Sequence, residues 1–239
     1  MAIDNLYFDV LCSAIDTAKR SMPHPTAVMR VGCLSYPDLL VTRAEIANRY
    51  PHLAEASYEL RCDADKIRRW HSMPHLTEII ETTDFFNKLG CTTDYFDFAE
   101  VRGGEIIADL NVPLDPRHHD SYDLVVDTGT LEHCFNVGVA FENMCRLSRV
   151  GGLIVSAAPM TKVNHGFWNF SPCAYDNYFQ QNHFDSLFLG GFFKDKEGIK
   201  QLHIQPNARQ VVPAETVLIA VARRTDKSTF KRPIQQKYL

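Results

Sequence analysis

The chain has 239 residues, which suits one large α/β domain, and a hydrophobic content of 45% provides for a sizeable core. A formal net charge of -4 argues against a nucleic-acid-binding protein, which usually presents a basic face. Seven cysteines without CxxC or Cys/His spacing predict reduced thiols in the cytoplasm and no metal site. We expect no membrane span and no signal peptide, because apolar runs are short and Asp4 and Asn5 interrupt the first residues.

The first predicted element is an amphipathic helix over residues 3–20, where apolar side chains recur at helical spacing. Pro23 and Pro25 should end it, so that residues 1–25 form an N-terminal helical segment. A first buried strand is predicted next, at Ala27–Leu34. The helix should therefore lie near the exit of this strand.

Residues 42–90 are more polar, and their pattern is mostly helical. Thr42 with Glu45 three positions later is the pattern of a capping box. A second helix is predicted from about Pro74 to Leu89, since Gly90 is a natural helix terminator. We expect this segment to form a helical cap that excludes water from a pocket; plain packing on the sheet is the alternative.

Strands dominate the rest of the chain. The predicted strands are 92–98, 105–110, 122–127, 153–158, 186–193, 200–205 and 216–223, and the predicted helices are 137–147 and 175–183. Strands that alternate with helices, several of them continuously apolar, are typical of a parallel sheet covered on both faces. The predicted fold class is therefore α/β: a single domain over 1–239 with a Rossmann-like doubly wound sheet, mainly parallel with an antiparallel edge, and helices on both faces.

The C-terminal segment, residues 224–239, is rich in Lys and Arg. We expect a solvated basic tail, with a docking arm for an acidic partner as the alternative. Polar residues also follow the predicted strands, and ligands of doubly wound sheets bind at the carboxyl ends of the strands. The sequence therefore predicts a site at this edge of the sheet.

Two stretches carry a family resemblance. Residues 122–133 read YDLVVDTGTLEH, and residues 146–156 read RLSRVGGLIVS, followed by Pro159. This combination resembles the class I S-adenosylmethionine-dependent methyltransferases, over about residues 28–160. The aromatic stretch at 164–172 resembles a subgroup of that family that acts on small molecules.

The resemblance implies methyl transfer from S-adenosylmethionine to a small polar molecule. An amine or guanidine nitrogen is preferred, because Asp38, Asp127 and Glu132 offer carboxylates that can hold a cationic acceptor. The implied partner is a small-molecule acceptor, with neither nucleic acid nor membrane involved, and the chain is compatible with a homodimer.

The first strand departs from the family pattern. The family has a GxGxG turn there, whereas only Gly32 remains here and the stretch 35–38 reads SYPD. A catalytically inactive binding or scaffold protein on the same fold is therefore the alternative. A nicotinamide-dependent enzyme is the weakest alternative, because it too requires a glycine-rich first turn.

The resemblance also implies roles for residues at the strand exits. Gly32 and Ser35 would approach the cofactor, and Asp97 would accept hydrogen bonds from its ribose, with Asp94 and Glu100 as alternatives. Further cofactor-binding residues would be Asp109 and Leu110 beside the adenine and Asp127, Thr128 and Gly129 beside the methionine part. An Asx-turn between Asp109 and Asn111 is a local alternative for Asp109.

The candidate catalytic residues are Glu132, His133 and His165. His133 is the best placed base, and a purely structural role of the Glu132–His133 pair is the alternative. The candidate acceptor-binding residues are Asp38, Trp168 and Tyr175. Ordinary core packing is the alternative for at least half of the aromatic residues in this region.

Overall fold

The chain folds around an eight-stranded sheet, seen in a computed structural model that describes residues 2–22, 24, 26–227 and 229–239. Its strands are β2 (Met29–Leu34), β4 (Cys91–Asp97), β5 (Ile106–Ile107), β6 (Tyr122–Thr128), β7 (Ser148–Pro159), β8 (Phe184–Asp195), β9 (Gly198–His203) and β10 (Val217–Arg224). Two further short strands, β1 (Ala2–Ile3) and β3 (Asp38–Leu39), pair with each other in parallel.

The strand order of the large sheet is β5-β4-β2-β6-β7-β10-β8-β9. The strands from β5 to β7 are parallel, whereas β10 runs antiparallel to β7 and β8, and β9 runs antiparallel to β8. The chain order reverses between β2 and β6, so the carboxyl ends of these two strands flank the switch point. The predicted fold class is confirmed.

Six α-helices accompany the sheet in the described residues: α1 (Asn5–Arg20), α2 (Arg43–Arg49), α3 (Ala64–Trp70), α4 (Thr82–Lys88), α5 (Val137–Leu147) and α6 (Pro172–Gln181). One core joins α1 and α4 to one face of the sheet, and a second core joins α5 and α6 to the other. Alternate residues of each central strand enter opposite cores, because successive strand side chains point to opposite faces.

Helix α1 begins where the side chain of Asp4 accepts a hydrogen bond from the backbone N–H of Tyr7 at 3.1 Å. The helix ends at Arg20. Pro23 and Pro25, which the sequence names as helix terminators, lie outside the described residues.

The segment 42–90 contains less helix than predicted. The capping box of Thr42 and Glu45 is confirmed at the start of α2. The helix predicted from Pro74 was wrong in extent, since α4 begins only at Thr82. Ile80 instead forms extended bridges with Leu39 and Leu60, which hold the chain out of a helical conformation.

Other predicted boundaries shift by a few residues. The strand predicted at 105–110 is reduced to Ile106–Ile107, and Glu105 instead accepts the backbone N–H groups of Val101 and Arg102. The helix predicted at 175–183 begins earlier, with Pro172 in its first turn. Proline is tolerated there because the N–H groups of the first turn have no partner within the helix.

The C-terminal tail lies along the end of α6. Lys231 and Asn182 exchange two hydrogen bonds, of 2.6 and 2.9 Å, and Gln181 exchanges two with Ile234. The side chains after Phe230 are exposed, but the backbone is anchored. Among the described residues, no helix is long and apolar enough to cross a membrane.

Candidate active site

A cavity of about 700 Å³ opens at the carboxyl ends of β6 and β7. Thr128 and Gly129 line it from β6, and the segment 157–159 lines it from β7. The start of α1 and the end of α3 cover it. Its volume lies in the range of about 300–1,000 Å³ that is usual for ligand pockets.

The turn after β6 is built on a buried carboxylate. Asp127 is fully buried, and its two oxygens accept hydrogen bonds from Thr130 N at 2.8 Å and from Ser156 Oγ at 2.6 Å. The chain then turns at Gly129, whose φ of 96° favours glycine. A Cβ atom on Gly129 would lie 2.9 Å from Glu132 Oε1, so the turn leaves room for this carboxylate.

Glu132 is the most unusual group in the cavity wall. It is only 1% exposed, and its Oε2 has no hydrogen-bond partner among the described residues. Burial and, to a smaller extent, the negative charge of Asp127 together raise the pKa of Glu132 to about 8. Burial likewise raises the pKa of Asp127 to about 6. A carboxyl group that titrates near neutral pH is suited to proton transfer.

Two histidines stand beside this carboxyl group. His165 Nε2 lies 3.5 Å and His133 Nε2 lies 4.0 Å from Glu132 Oε1, and both side chains are about half exposed at 47% and 48%. Burial lowers the pKa of each imidazole, which favours the neutral form of both rings. A neutral imidazole can accept a proton or offer a lone pair to a cation.

The loop that carries His165 is fastened by its backbone. Phe167 N and Trp168 N both donate to the carbonyl oxygen of Glu132, at 2.8 and 3.3 Å, and Trp168 Nε1 donates to the carbonyl of Cys134 at 3.1 Å. A Cβ atom on Gly166 would lie 2.8 Å from the same Glu132 carbonyl oxygen. Only glycine permits this close approach, which brings the two loops together.

The exit of β2, in contrast, is filled by its own side chains. Tyr36 stacks on Tyr95 with ring centroids 3.9 Å apart. The guanidinium carbon of Arg102 lies 4.9 Å from the centroid of the Tyr36 ring. Asp38 is 6% exposed and pairs with Arg102 at 2.7 Å and with His71 at 2.9 Å. Its carboxylate is therefore engaged by this chain and does not line the cavity.

The predicted cofactor-binding residues at the first strand are also packed. Ser35 is 2% exposed and lies 3.2 Å from the hydroxyl of Thr130. Gly32 faces the ring of Tyr122, which a Cβ atom would meet at 2.9 Å. Gly32 therefore makes room for a core aromatic residue.

The remaining predicted cofactor-binding residues lie on the same sheet edge, outside the cavity lining. Asp97 accepts the N–H of Tyr36 at 3.3 Å and that of Phe98 at 2.7 Å, and it stays partly exposed. Asp109 is exposed and forms the expected Asx-turn with Asn111, whose hydrogen bonds lower the pKa of Asp109. Leu110 is buried beside them.

The aromatic residues predicted to bind the acceptor do not line the cavity. Tyr175 is fully buried between Phe141 and Phe170, and its hydroxyl lies 2.8 Å from Ser156 Oγ. The prediction that it faces the acceptor was wrong, because the first turn of α6 packs into the core. Trp168 is 39% exposed and lies outside the cavity lining, although it fastens the loop of His165.

The cavity also contains residues that the sequence did not single out. Tyr7 and Asp4 come from the start of α1, Trp70 and His71 from the end of α3, and Lys162 from the loop after β7. The amphipathic pattern of α1 predicts a packed face, but it does not reveal which end of that face reaches the cavity.

A larger cavity of about 960 Å³ lies between the segment 169–173, the segment 205–212 and the C-terminal tail. Among the described residues, its lining contains no aspartate, glutamate or histidine. We therefore take the smaller cavity, with its carboxyl group and two imidazoles, as the candidate active site.

No protein-family model matches the chain, and no curated protein matches it either. Similar solved structures include TehB from Haemophilus influenzae, at 12% identity and a TM-score of 0.44 over 89% of this chain and 62% of TehB. The chain thus spans less than two thirds of TehB.

A second is Burkholderia thailandensis 1,6-didemethyltoxoflavin-N1-methyltransferase, at 13% identity and a TM-score of 0.44, covering 95% of this chain and 92% of that one. A third is the N-methyltransferase NodS from Bradyrhizobium japonicum WM9, at 11% identity and 0.43, covering 93% and 99%. At these identities and TM-scores, none of the likenesses decides the activity of this chain.

Proposed function

We propose that the chain is an S-adenosylmethionine-dependent methyltransferase that acts on a small polar molecule. One observation carries the proposal: the cavity at the carboxyl edge is lined by Thr128, Gly129, Glu132 and His133, which belong to the stretch with the family resemblance. A ligand at this edge, next to the switch point of the sheet, is the general expectation for a doubly wound fold.

The wall of the cavity fits the amino-acid end of the cofactor. Gly129 lines the cavity beside Thr128, and its missing Cβ atom leaves room for the Glu132 carboxylate in the same wall. Asp97 would hold the ribose, and Asp109 and Leu110 would lie beside the adenine. The bound cofactor would supply a methyl group on a positively charged sulfur.

The residues of the chain would orient the acceptor and exclude water from it. Tyr7 and Trp70 line the cavity on the side of α1 and α3, where they would contact the acceptor and displace water from it. Glu132, His133 and His165 would remove the proton that the acceptor atom loses.

The preferred acceptor atom remains a nitrogen. Of the three carboxylates that favoured a cationic amine or guanidine, Asp127 is engaged by the turn and Asp38 by Arg102. Only Glu132 lines the cavity, so this preference rests on one residue. The cytoplasmic location and the homodimer also stay predictions from the sequence.

Calorimetric titration with S-adenosylhomocysteine tests the proposal. We expect 1:1 binding to the wild type and a loss of roughly ten- to hundredfold in Asp97→Asn, the effect of one charge-assisted hydrogen bond. Asp185→Asn, an exposed carboxylate on β8, is the matched control and should bind normally.

Two results would count against the assignment. Unchanged affinity in Asp97→Asn would show that another carboxylate, Asp94 or Glu100, holds the ribose. Absence of binding to the wild type would overturn the methyltransferase proposal and favour a binding or scaffold protein.

A further inference from the structure

Glu132, His133 and His165 form a cluster with the composition of a metal site. One carboxylate oxygen and one ring nitrogen from each histidine lie within 4.8 Å of one another. Two of these residues are adjacent on the short 3-10 turn after β6, and the third comes from the loop after β7. The sequence predicts no metal site, because it contains no CxxC or Cys/His metal spacing.

The three side chains do not satisfy one another by hydrogen bonds. The distances from Glu132 Oε1 to the two imidazole nitrogens, 3.5 and 4.0 Å, exceed the 2.7 to about 3.2 Å of such bonds. Glu132 Oε2 has no partner in the described part of the chain, although the side chain is 99% buried. A buried carboxylate without a partner is costly, so an oxygen of this kind indicates a missing cation or donor.

Among the described residues, Lys162 does not fill this role. Lys162 lines the same cavity, but it forms no ion pair with Glu132 among those found in the described residues. The backbone bonds from Phe167 and Trp168 hold the two loops at a fixed separation. The main chain around the cluster is therefore held in place, and the distances between the carboxylate and the imidazoles can change only by side-chain rotation.

We propose that Glu132, His133 and His165 bind a divalent transition-metal ion of the zinc class at the wall of the cavity. Ligand atoms about 2.0–2.2 Å from a tetrahedral ion lie roughly 3.4 Å from one another. Glu132 and His165 are already near that separation at 3.5 Å, and rotation of the two half-exposed imidazoles can close the wider distances, which stay within 4.8 Å. Two imidazoles and one carboxylate suit Zn²⁺ or its first-row neighbours, whereas Mg²⁺ and Ca²⁺ prefer oxygen ligands.

Three protein ligands leave at least one coordination position for water or for an acceptor atom. In that position the ion would bind a hydroxyl oxygen of the acceptor and assist loss of its proton, while the oxygen keeps a further lone pair. This role in acceptor binding rests on the proposed function, whereas metal binding itself does not.

Zinc titration against a chromogenic chelator, with protein stripped of metal and kept reduced, tests the site. The protein background carries Cys62→Ser, because an exposed thiol such as Cys62 can compete for zinc. We expect one site per chain and a loss of at least about tenfold in each of Glu132→Gln, His133→Ala and His165→Ala. His203→Ala, an exposed histidine on β9, is the matched control and should leave the affinity unchanged.

Co²⁺ provides a second readout that does not depend on activity. Its absorption spectrum distinguishes nitrogen and oxygen ligands from thiolates, and circular dichroism checks that each variant is folded. The isosteric Glu132→Gln keeps the shape of the turn if an alanine variant fails to fold.

Wild-type zinc affinity in the three ligand variants would overturn the proposed site. A loss of affinity in His203→Ala as large as the loss in the ligand variants would also overturn it. Thiolate bands with Co²⁺ would do the same. Titration with S-adenosylhomocysteine in the absence of metal keeps the two proposals separate: either ligand can bind while the other fails.

Discussion

The strands β2 and β6 are neighbours in the sheet, and both end at the same edge, but their exits differ. After β2, Tyr36 stacks on Tyr95, and the carboxylate of Asp38 pairs with the side chains of Arg102 and His71. After β6, the turn at Gly129 opens a cavity in which Glu132 keeps an oxygen without a partner in the described chain.

The difference shows that a position at the carboxyl edge does not by itself make a binding site. Polar groups at a strand exit are available to a ligand only where the chain has not already paired them. The charged groups at the β2 exit pair with one another and stabilise the fold, whereas at the β6 exit one oxygen of a buried carboxyl group has no hydrogen-bond partner in the described chain. The following substitutions test this contrast.

The largest expected effect is at the closed exit. Arg102→Met leaves Asp38 buried with only His71 beside it, and should lower the free energy of unfolding by about 3 kcal/mol. Urea denaturation measures the change. The double variant with Asp38→Asn should recover part of it. A loss below about 0.5 kcal/mol would mean that the pair is effectively solvated.

Gly32→Ala should cost about 2 kcal/mol, because the added Cβ atom meets the ring of Tyr122 at 2.9 Å. The folded fraction should bind S-adenosylhomocysteine with wild-type affinity, as measured by calorimetry. Adding Tyr122→Leu should relieve the overlap. If Gly32→Ala instead lost affinity without losing stability, Gly32 would contact the cofactor and the β2 exit would be open to ligands.

Gly166→Ala tests the open exit. The Cβ atom would press on the Glu132 carbonyl at 2.8 Å and separate the two loops, so we expect a loss of about 1–2 kcal/mol in stability and weaker zinc binding. Gly138→Ala is the control, since a Cβ atom there has nothing within 4 Å. Wild-type zinc affinity in Gly166→Ala would show that the loop position does not determine the cluster.

Trp168→Phe removes the indole hydrogen bond to Cys134 and keeps an aromatic ring. We expect a loss of about 1 kcal/mol in the free energy of unfolding, the usual contribution of one hydrogen bond. Thermal denaturation measures it. A Trp168→Phe variant as stable as wild type would leave the backbone bonds from residues 167 and 168 as the sole fastening of the loop.

The last prediction concerns pH. Burial raises the pKa of Asp127 to about 6, above the ordinary value of about 3.9. Between these two pH values, Asp127 is ionised in the unfolded chain but still protonated in the folded one. The free energy of unfolding of the wild type therefore falls as pH rises through this range. The Asp127→Asn side chain does not titrate, so this variant should lack the pH-dependent loss of stability. Separately, we expect the substitution to weaken one hydrogen bond to the turn. Melting temperatures at pH 4 and pH 7 should therefore diverge less in the variant; parallel changes would contradict the raised pKa.

Local patterns predicted much of the sheet. The apolar runs of β6 and β7 and the amphipathic pattern of α5 determine their own structure, and α5 has the predicted bounds Val137–Leu147. Residues 42–90 were harder, because bridges such as Ile80–Leu60 depend on distant partners and not on local preference.

The candidate site was also predicted only in part, because some of its contacts depend on local sequence and others on distant segments. Adjacency in sequence placed Glu132 and His133 together, and the strand order brought His165 to them. Sequence does not reveal, however, whether a polar side chain is already paired. Asp38 forms an ion pair with Arg102, and Tyr175 packs into the core. Both contacts join segments that are distant in the sequence.

The loop that carries His165 is held by main-chain amides, which every residue except proline possesses. Its outward side chains, Val163 at 82% and Phe167 at 65% exposure, contribute little to that attachment. Mutations at such positions can therefore accumulate without displacing the loop. Selection, or a directed-evolution library restricted to these positions, would be able to diversify this rim while the scaffold beneath it stays constant.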